Sequence, residues 1–385
     1  MEPTQFPLVE VRFVANARNE WEALLLRIDA ADLRGALDRL FGTPDLLNAV
    51  APLDCVLLLD SPAALTPAIL PLLPSNRVAI ALASASLAHE DALGQALALH
   101  EQGYRVLLDG PLPAGVAPPA ALRSVSLDCA RAAALPALAP LFGPHLARGV
   151  RDAALLAQCQ RAGFTWFSGD YPLHPAKPSG DAFDAASRRR LLALLALLAR
   201  DADSRELEAL LKQDAALSFQ LLKLVNSAAF AVNTRISSFG QAINLLGRRQ
   251  LQRWLQLLLY ARQQADGLPN LLLPLAALRG GAMESLARRD GADRDAQDLA
   301  FMTGVFSLLD RLFGTPMAEL VGALSLPPHV AAALLRREGV LGQRLRLVDT
   351  APAAADLDAA GIDRASWWNS QLHAWHWAIQ VGRNV

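Results

Sequence analysis

The ten residues Tyr171–Gly180 contain Pro172, Pro175, Pro178 and Gly180, a density that neither a helix interior nor a central strand accepts. The chain is divided there, and the hydrophobic pattern changes at the same place. Upstream, β-prone runs recur at Phe6–Val14, Trp21–Ile28, Cys55–Asp60, Arg77–Leu82, Tyr104–Asp109, Arg123–Asp128, His145–Val150 and Phe164–Ser168. Helical patterns at Ala30–Val50, Ser86–Gln102 and Asp152–Ala162 separate several of them. Downstream, apolar residues return at helical spacing, as in Leu207, Leu210, Leu211 and in Leu251, Leu255, Leu258. With 385 residues in all, each side is long enough to bury its own core. The expectation is an α/β domain over 1–178 followed by an all-α domain over 179–385.

Eight strands alternating with helices predict a (β/α)8 barrel, but a trimmed and irregular one. Only Ala15–Glu20 joins the first two strands, too short for a helical crossover, so they form an antiparallel hairpin. Gly110–Leu122 carries Pro111, Pro113, Pro118 and Pro119 and leaves room for little more than a turn of helix. Residues 1–178 are also few for such a barrel, which usually takes about 250.

Although 53% of the residues are hydrophobic, apolar runs such as Leu191–Ala199 are too short to span a bilayer and are flanked by arginines 188, 189, 190 and 200. The opening Met1-Glu2-Pro3-Thr4 has no basic segment followed by an apolar one, so no secretory signal is expected. Cys55, Cys129 and Cys159 show no metal-ligand spacing and no even framework. A soluble protein of the reducing cytoplasm is expected. A formal net charge of −1 weighs against strong attraction to nucleic acid or to an anionic membrane.

The hairpin with Glu22-Ala23-Leu24, the segment Gly103-Tyr104-Arg105-Val106-Leu107-Leu108-Asp109-Gly110, then Ser126-Leu127-Asp128 and Ala147-Arg148-Gly149-Val150-Arg151 together resemble the EAL domain, a barrel that hydrolyses cyclic di-GMP with divalent cations held by carboxylates and an asparagine. On that resemblance Glu22 matches the first metal ligand and Asp109 the first of a paired aspartate. The other positions differ: Gly110 at the second aspartate, Ala81 at a strand-borne glutamate, Ser126 at a lysine, Arg148 and Arg151 at two glutamates, Ser168 at a glutamine, and Leu59 or Asp60 at the asparagine. Two carboxylates do not hold a metal pair, so the expectation is a degenerate domain with no catalytic residue, no bound metal and no enzymatic activity. The family's nucleotide-binding arginine stands four residues after the glutamate, whereas Arg27 stands five after Glu22, on the opposite face of a strand. Cyclic di-GMP binding is therefore not expected. Asp60 and Asp128 are read as turn and helix caps.

In the second half, Leu221–Phe230 and Ile236–Gly247, with Lys223-Leu224-Val225-Asn226-Ser227 and Asn244-Leu245-Leu246-Gly247 at their centres, resemble the HDOD domain, a helical relative of HD-type metal phosphohydrolases. Ser307-Leu308 stands where an HD enzyme carries its His-Asp dyad, and His329, His373 and His376 are scattered, so no metal is expected here either. Glycine-linked helices at Gln241–Trp254 also admit a DNA-reading motif with Arg248, Arg249 and Arg253, although the apolar stripe Leu251, Trp254, Leu255 and Leu258 favours packing. Trp367, Trp368 and Trp375 suit either a docked last helix or a partner patch.

The two resemblances together imply a cytoplasmic EAL–HDOD signalling protein that acts without cofactors, through other signalling proteins, in cyclic di-GMP networks governing motility, biofilm or virulence. The alternative is a cyclic di-GMP phosphodiesterase or receptor using Glu22 and Asp109.

Overall fold

The computed structural model describes residues 5–112, 119–175, 190, 193–198, 202–211, 241, 247–260, 268–324 and 326–383, and the chain forms two compact units, Met1–Ala176 and Lys177–Val385. In the first unit eight strands close into a barrel in chain order: β1 (Leu8–Asn16), β2 (Trp21–Asp29), β3 (Asp54–Leu59), β4 (Val78–Ala83), β5 (Val106–Asp109), β6 (Ser124–Asp128), β7 (Leu146–Arg148) and β8 (Trp166–Phe167). Every one falls on a run read from the sequence. The short first connection forces β1 and β2 antiparallel, with Leu8 opposite Asp29 and Arg12 opposite Leu25. From β2 to β8 neighbouring strands are parallel, and β1 closes the barrel antiparallel to β8 at Ala15–Phe167.

Because side chains alternate across a strand, every second residue points inward. Val14, Ala23, Leu25, Val56, Ala79, Ala81, Leu107, Leu146 and Trp166 fill the interior, each large aliphatic side chain contributing roughly 1.5–3 kcal/mol on burial. On the outside, the helical stretch expected over Ala30–Val50 is broken at Gly42 and Pro44 into α1 (Leu33–Phe41) and α2 (Asp45–Ala49). The Asp32 carboxylate accepts from Gly35 N to start α1. The remaining α-helices described in this unit are α3 (Glu90–Glu101) and α4 (Ala153–Arg161); Asp152 caps α4 by accepting from Leu155 N at 2.8 Å, the standard way to satisfy a free helical N–H. Ser61, rather than Asp60, caps the 3-10 turn that follows β3. All three cysteines are reduced and buried, and burial pushes the Cys55 thiol up to about 12.

The second unit is helical throughout the described residues. Leu272–Arg289 lies at its centre against Arg294–Phe306 and Arg364–Arg383. A Cβ on Gly304 would collide with the backbone of Arg279 and Gly280, so the first two helices approach closely only because that position is glycine. Trp367, Trp368 and Trp375 are buried, and Trp254 meets Trp377 edge-on at 5.0 Å. The aromatic tail docks onto the bundle. Of the signature segments, residues 221–230, 236–240 and 242–246 lie outside the described residues. No helix among the described residues is long and apolar enough to cross a membrane.

Candidate site at the barrel mouth

The carboxyl ends of the parallel strands and the start of antiparallel β1 meet at one end of the barrel. Continuing the inward-facing series past the apolar core reaches Arg12 and Glu10 on β1, Arg27 on β2, Leu58 on β3, Asp128 on β6 and Arg148 on β7. With Arg131, Gly149, Arg151, Ser168 and Asp170 they line a cavity of about 370 Å³. Two glycines shape its rim. Gly149 (φ +66°) and Gly169 (φ +153°) adopt backbone that L side chains rarely take, and a Cβ at Gly169 would strike the Val150 backbone.

The charges here are mostly paired. Arg148 grips Asp109 with both carboxylate oxygens engaged, Nη2 lying 2.7 Å from Oδ1 and 2.9 Å from Oδ2. Ser126 Oγ donates to the same carboxylate at 2.6 Å. The register places Asp109 beside Ser126 and Asp128 beside Arg148, so a contact 39 residues apart in sequence spans three adjacent strands. With side chains only 18% and 14% exposed, this is the most shielded ion pair of the mouth. Arg12 binds Glu10 at 2.6 Å and reaches Asp170 at 3.5 Å; burial opposes its charge, but Glu10, Asp170 and Asp128 outweigh it and raise its pKa. Arg131 lies 3.6 Å from Asp128 and Arg151 3.1 Å from Asp152, both largely in solvent.

Two groups are left over. Arg27 lines the cavity without an ion pair or side-chain hydrogen bond to any described residue. Ser168, 1% exposed, keeps its hydroxyl buried with no partner among the described residues. A buried hydroxyl without a partner is costly, and a ligand oxygen in the cavity would satisfy it.

Several sequence-based assignments change. Ala23 and Leu25 point inward, so Glu22, between strand neighbours of opposite direction, does not. Its carboxylate accepts from Asn16 Nδ2 at 2.7 Å at the far end of β2, away from the mouth. Arg27, expected on the wrong face, shares the parity of Ala23 and reaches the cavity. The single-residue offset displaces the glutamate, not the arginine. Ala81 is buried in the barrel interior and Gly110 has a left-handed backbone with φ +85°. Asp128 makes the expected turn, accepting from Ala130 N, and also borders the cavity. Arg12, Glu10 and Asp170 escaped the sequence reading; alternation with the apolar Val14 was the available sign. The metal pair of the EAL resemblance does not fit these residues: Glu22 is remote, Asp109 is held by a guanidinium, and no cluster of three or more His, Cys, Asp and Glu among the described residues could take a metal.

In the helical unit, Ser307 Oγ donates to Gly304 O at 2.7 Å and accepts from Arg279 Nη1 at 2.9 Å, while Leu308 is buried. The same guanidinium pairs with Asp349 at 2.9 Å. His329, His373 and His376 are exposed on two different helices. Arg249 and Arg253 are engaged by Asp298 and Glu284, which leaves them poorly disposed to read DNA.

Comparison with known proteins adds to this geometry. Residues 188–312 match the HDOD domain model. The chain is 30% identical over 219 residues to the cyclic di-GMP phosphodiesterase CdgJ of Vibrio cholerae serotype O1, covering 56% of this chain and 47% of that protein. It is 28% identical over 205 residues to the uncharacterized protein YuxH of Bacillus subtilis, covering 53% and 50%. The chain thus spans about half the length of the curated relatives it matches. Among solved structures, an HDOD domain protein of Geobacter sulfurreducens aligns with a TM-score of 0.29 at 18% identity, covering 42% of this chain and 70% of that one. The calcium and cyclic di-GMP complex of Klebsiella pneumoniae BlrP1 aligns with a TM-score of 0.33 at 14% identity, covering 44% and 56%. The FimX EAL domain of Pseudomonas aeruginosa, bound to cyclic di-GMP, gives 0.30 at 15% identity, covering 43% and 89%. The expectation that the chain is not an enzyme is corrected by the first of these relatives, which is itself named a phosphodiesterase. The second unit contains an HDOD domain at residues 188–312.

Proposed function

We propose that the protein works in cyclic di-GMP-linked signalling, the barrel mouth facing the nucleotide and the HDOD domain engaging other signalling proteins. The observation that carries this reading is that Arg27, which makes no ion pair with a described residue, and the buried, unpartnered Ser168 Oγ line one cavity. Cyclic di-GMP offers anionic phosphodiester oxygens, and a guanidinium is the side chain best matched to them. The name of the Vibrio relative points to the same nucleotide. The earlier reason for expecting no binding, an arginine on the wrong face, disappears once Arg27 lines the mouth. Titration calorimetry of the whole chain with cyclic di-GMP tests the reading, with the same samples followed by chromatography for hydrolysis. Saturable binding that Arg27→Ala weakens by roughly tenfold or more supports it. No heat of binding at high micromolar nucleotide sinks it.

A further inference from the structure

We infer that the mouth takes phosphoryl oxygens directly on arginine, with no divalent cation between protein and ligand; this rests on the nucleotide reading above. The barrel unit is acidic as a whole, with 17 Asp and Glu against 12 Lys and Arg in residues 1–176. Five of those twelve basic residues, Arg12, Arg27, Arg131, Arg148 and Arg151, nevertheless line one cavity of about 370 Å³. Its three acidic lining residues already face arginines: Glu10 and Asp170 meet Arg12, and Asp128 meets Arg131. Asp109, behind them, has both oxygens on Arg148. A metal ion entering here would find each lining carboxylate facing an arginine and the fixed Arg148 guanidinium as its neighbour, a like-charge contact. An oxyanion meets the opposite situation. Arg27 is unpaired. Arg151, with 66% of its side chain exposed and tied only to its chain neighbour Asp152, gives up little by turning to a ligand. Ser168 Oγ, just past β8, supplies a neutral donor.

The ligand chemistry assigned is therefore a phosphate ester or phosphate oxyanion, and two probes separate the sources: cyclic di-GMP and inorganic phosphate. The whole chain, purified through a chelator, is titrated with each in EDTA and again with millimolar Mg²⁺. Equal affinity for cyclic di-GMP within about twofold in the two buffers is expected. Arg151→Glu should weaken binding by roughly tenfold or more, and Ser168→Ala by several-fold, as expected for a lost charge-assisted or neutral hydrogen bond. Arg151 is solvent-facing, so an unchanged melting curve confirms that its variant remains folded. Binding that appears only with Mg²⁺ overturns this inference alone. Absence of binding of either probe in both buffers removes the nucleotide reading and this inference with it. Saturable binding of inorganic phosphate without cyclic di-GMP keeps the metal-free oxyanion site and removes only the nucleotide.

Discussion

Each unit holds an arginine against an aspartate at a place its resemblance gives to metal chemistry, yet the two grips have different surroundings. In the barrel, Arg148 and Asp109 sit beside a cavity that carries further arginines. In the helical unit, Arg279 bridges Ser307 and Asp349, and Arg337 takes the second oxygen of Asp349 at 2.8 Å. That Arg–Asp–Arg arrangement ties Leu272–Arg289 to the end of Gly339–Asp349. Burial lowers the Arg279 pKa, with Asp349 acting against it. Pairing of this kind neutralises an arginine; it does not by itself make a site. What distinguishes the barrel mouth is the charge remaining after pairing, next to space that a ligand can enter.

The largest effect should come from Asp349→Ala. It leaves two arginines without their common acceptor, and losing one partner of a buried pair typically costs about 3–5 kcal/mol. Asp109→Ala should cost less, roughly 1–3 kcal/mol, because Arg148 can turn toward the cavity and water. Urea denaturation of both variants measures the gap; equal losses would break the contrast between the two grips. Next in size, Asp109→Asn should raise cyclic di-GMP affinity by about tenfold, since a released Arg148 becomes a charge-assisted donor. The corresponding Asp349→Asn, away from the cavity, should leave affinity unchanged.

The smallest effect concerns Asp152. Its carboxylate is held below the usual aspartate range, first by the backbone N–H of Leu155 and further by Arg151. A lowered folded pKa means that its stabilisation is fully present above the unfolded aspartate value and drains away as pH falls through the folded one. Asp152→Asn keeps a cap-forming side chain, so melting temperature at neutral pH should drop slightly and its decline in acid should flatten. The same change frees Arg151 and should modestly tighten anion binding, whereas Asp363→Asn, at a helix start in the other unit, should not.

The barrel was legible in the sequence because alternation and Pro/Gly punctuation are local. The antiparallel hairpin followed from a connection too short for anything else. The site was harder. Matching Glu22-Ala23-Leu24 as a word put the glutamate at the mouth, whereas the inward direction of Ala23 and Leu25 puts Arg27 there instead. The Arg148–Asp109 grip depends on the register of β5, β6 and β7, which no single strand encodes. Arg279 and Asp349 lie 70 residues apart on two separate helices. Their side chains read as ordinary surface charges in a pattern of apolar spacing.

All three cysteines belong to the barrel, and the helical half of the chain has none. A thiol that is buried, with its ionisation driven upward as at Cys55, reacts only when the surrounding structure opens. The rate at which a thiol reagent modifies the native protein therefore reports opening of the first unit and is blind to fluctuations among the helices of the second. Slowing of that reaction by a bound ligand would report how firmly the ligand holds the strands together, with no dye or engineered label added to the molecule.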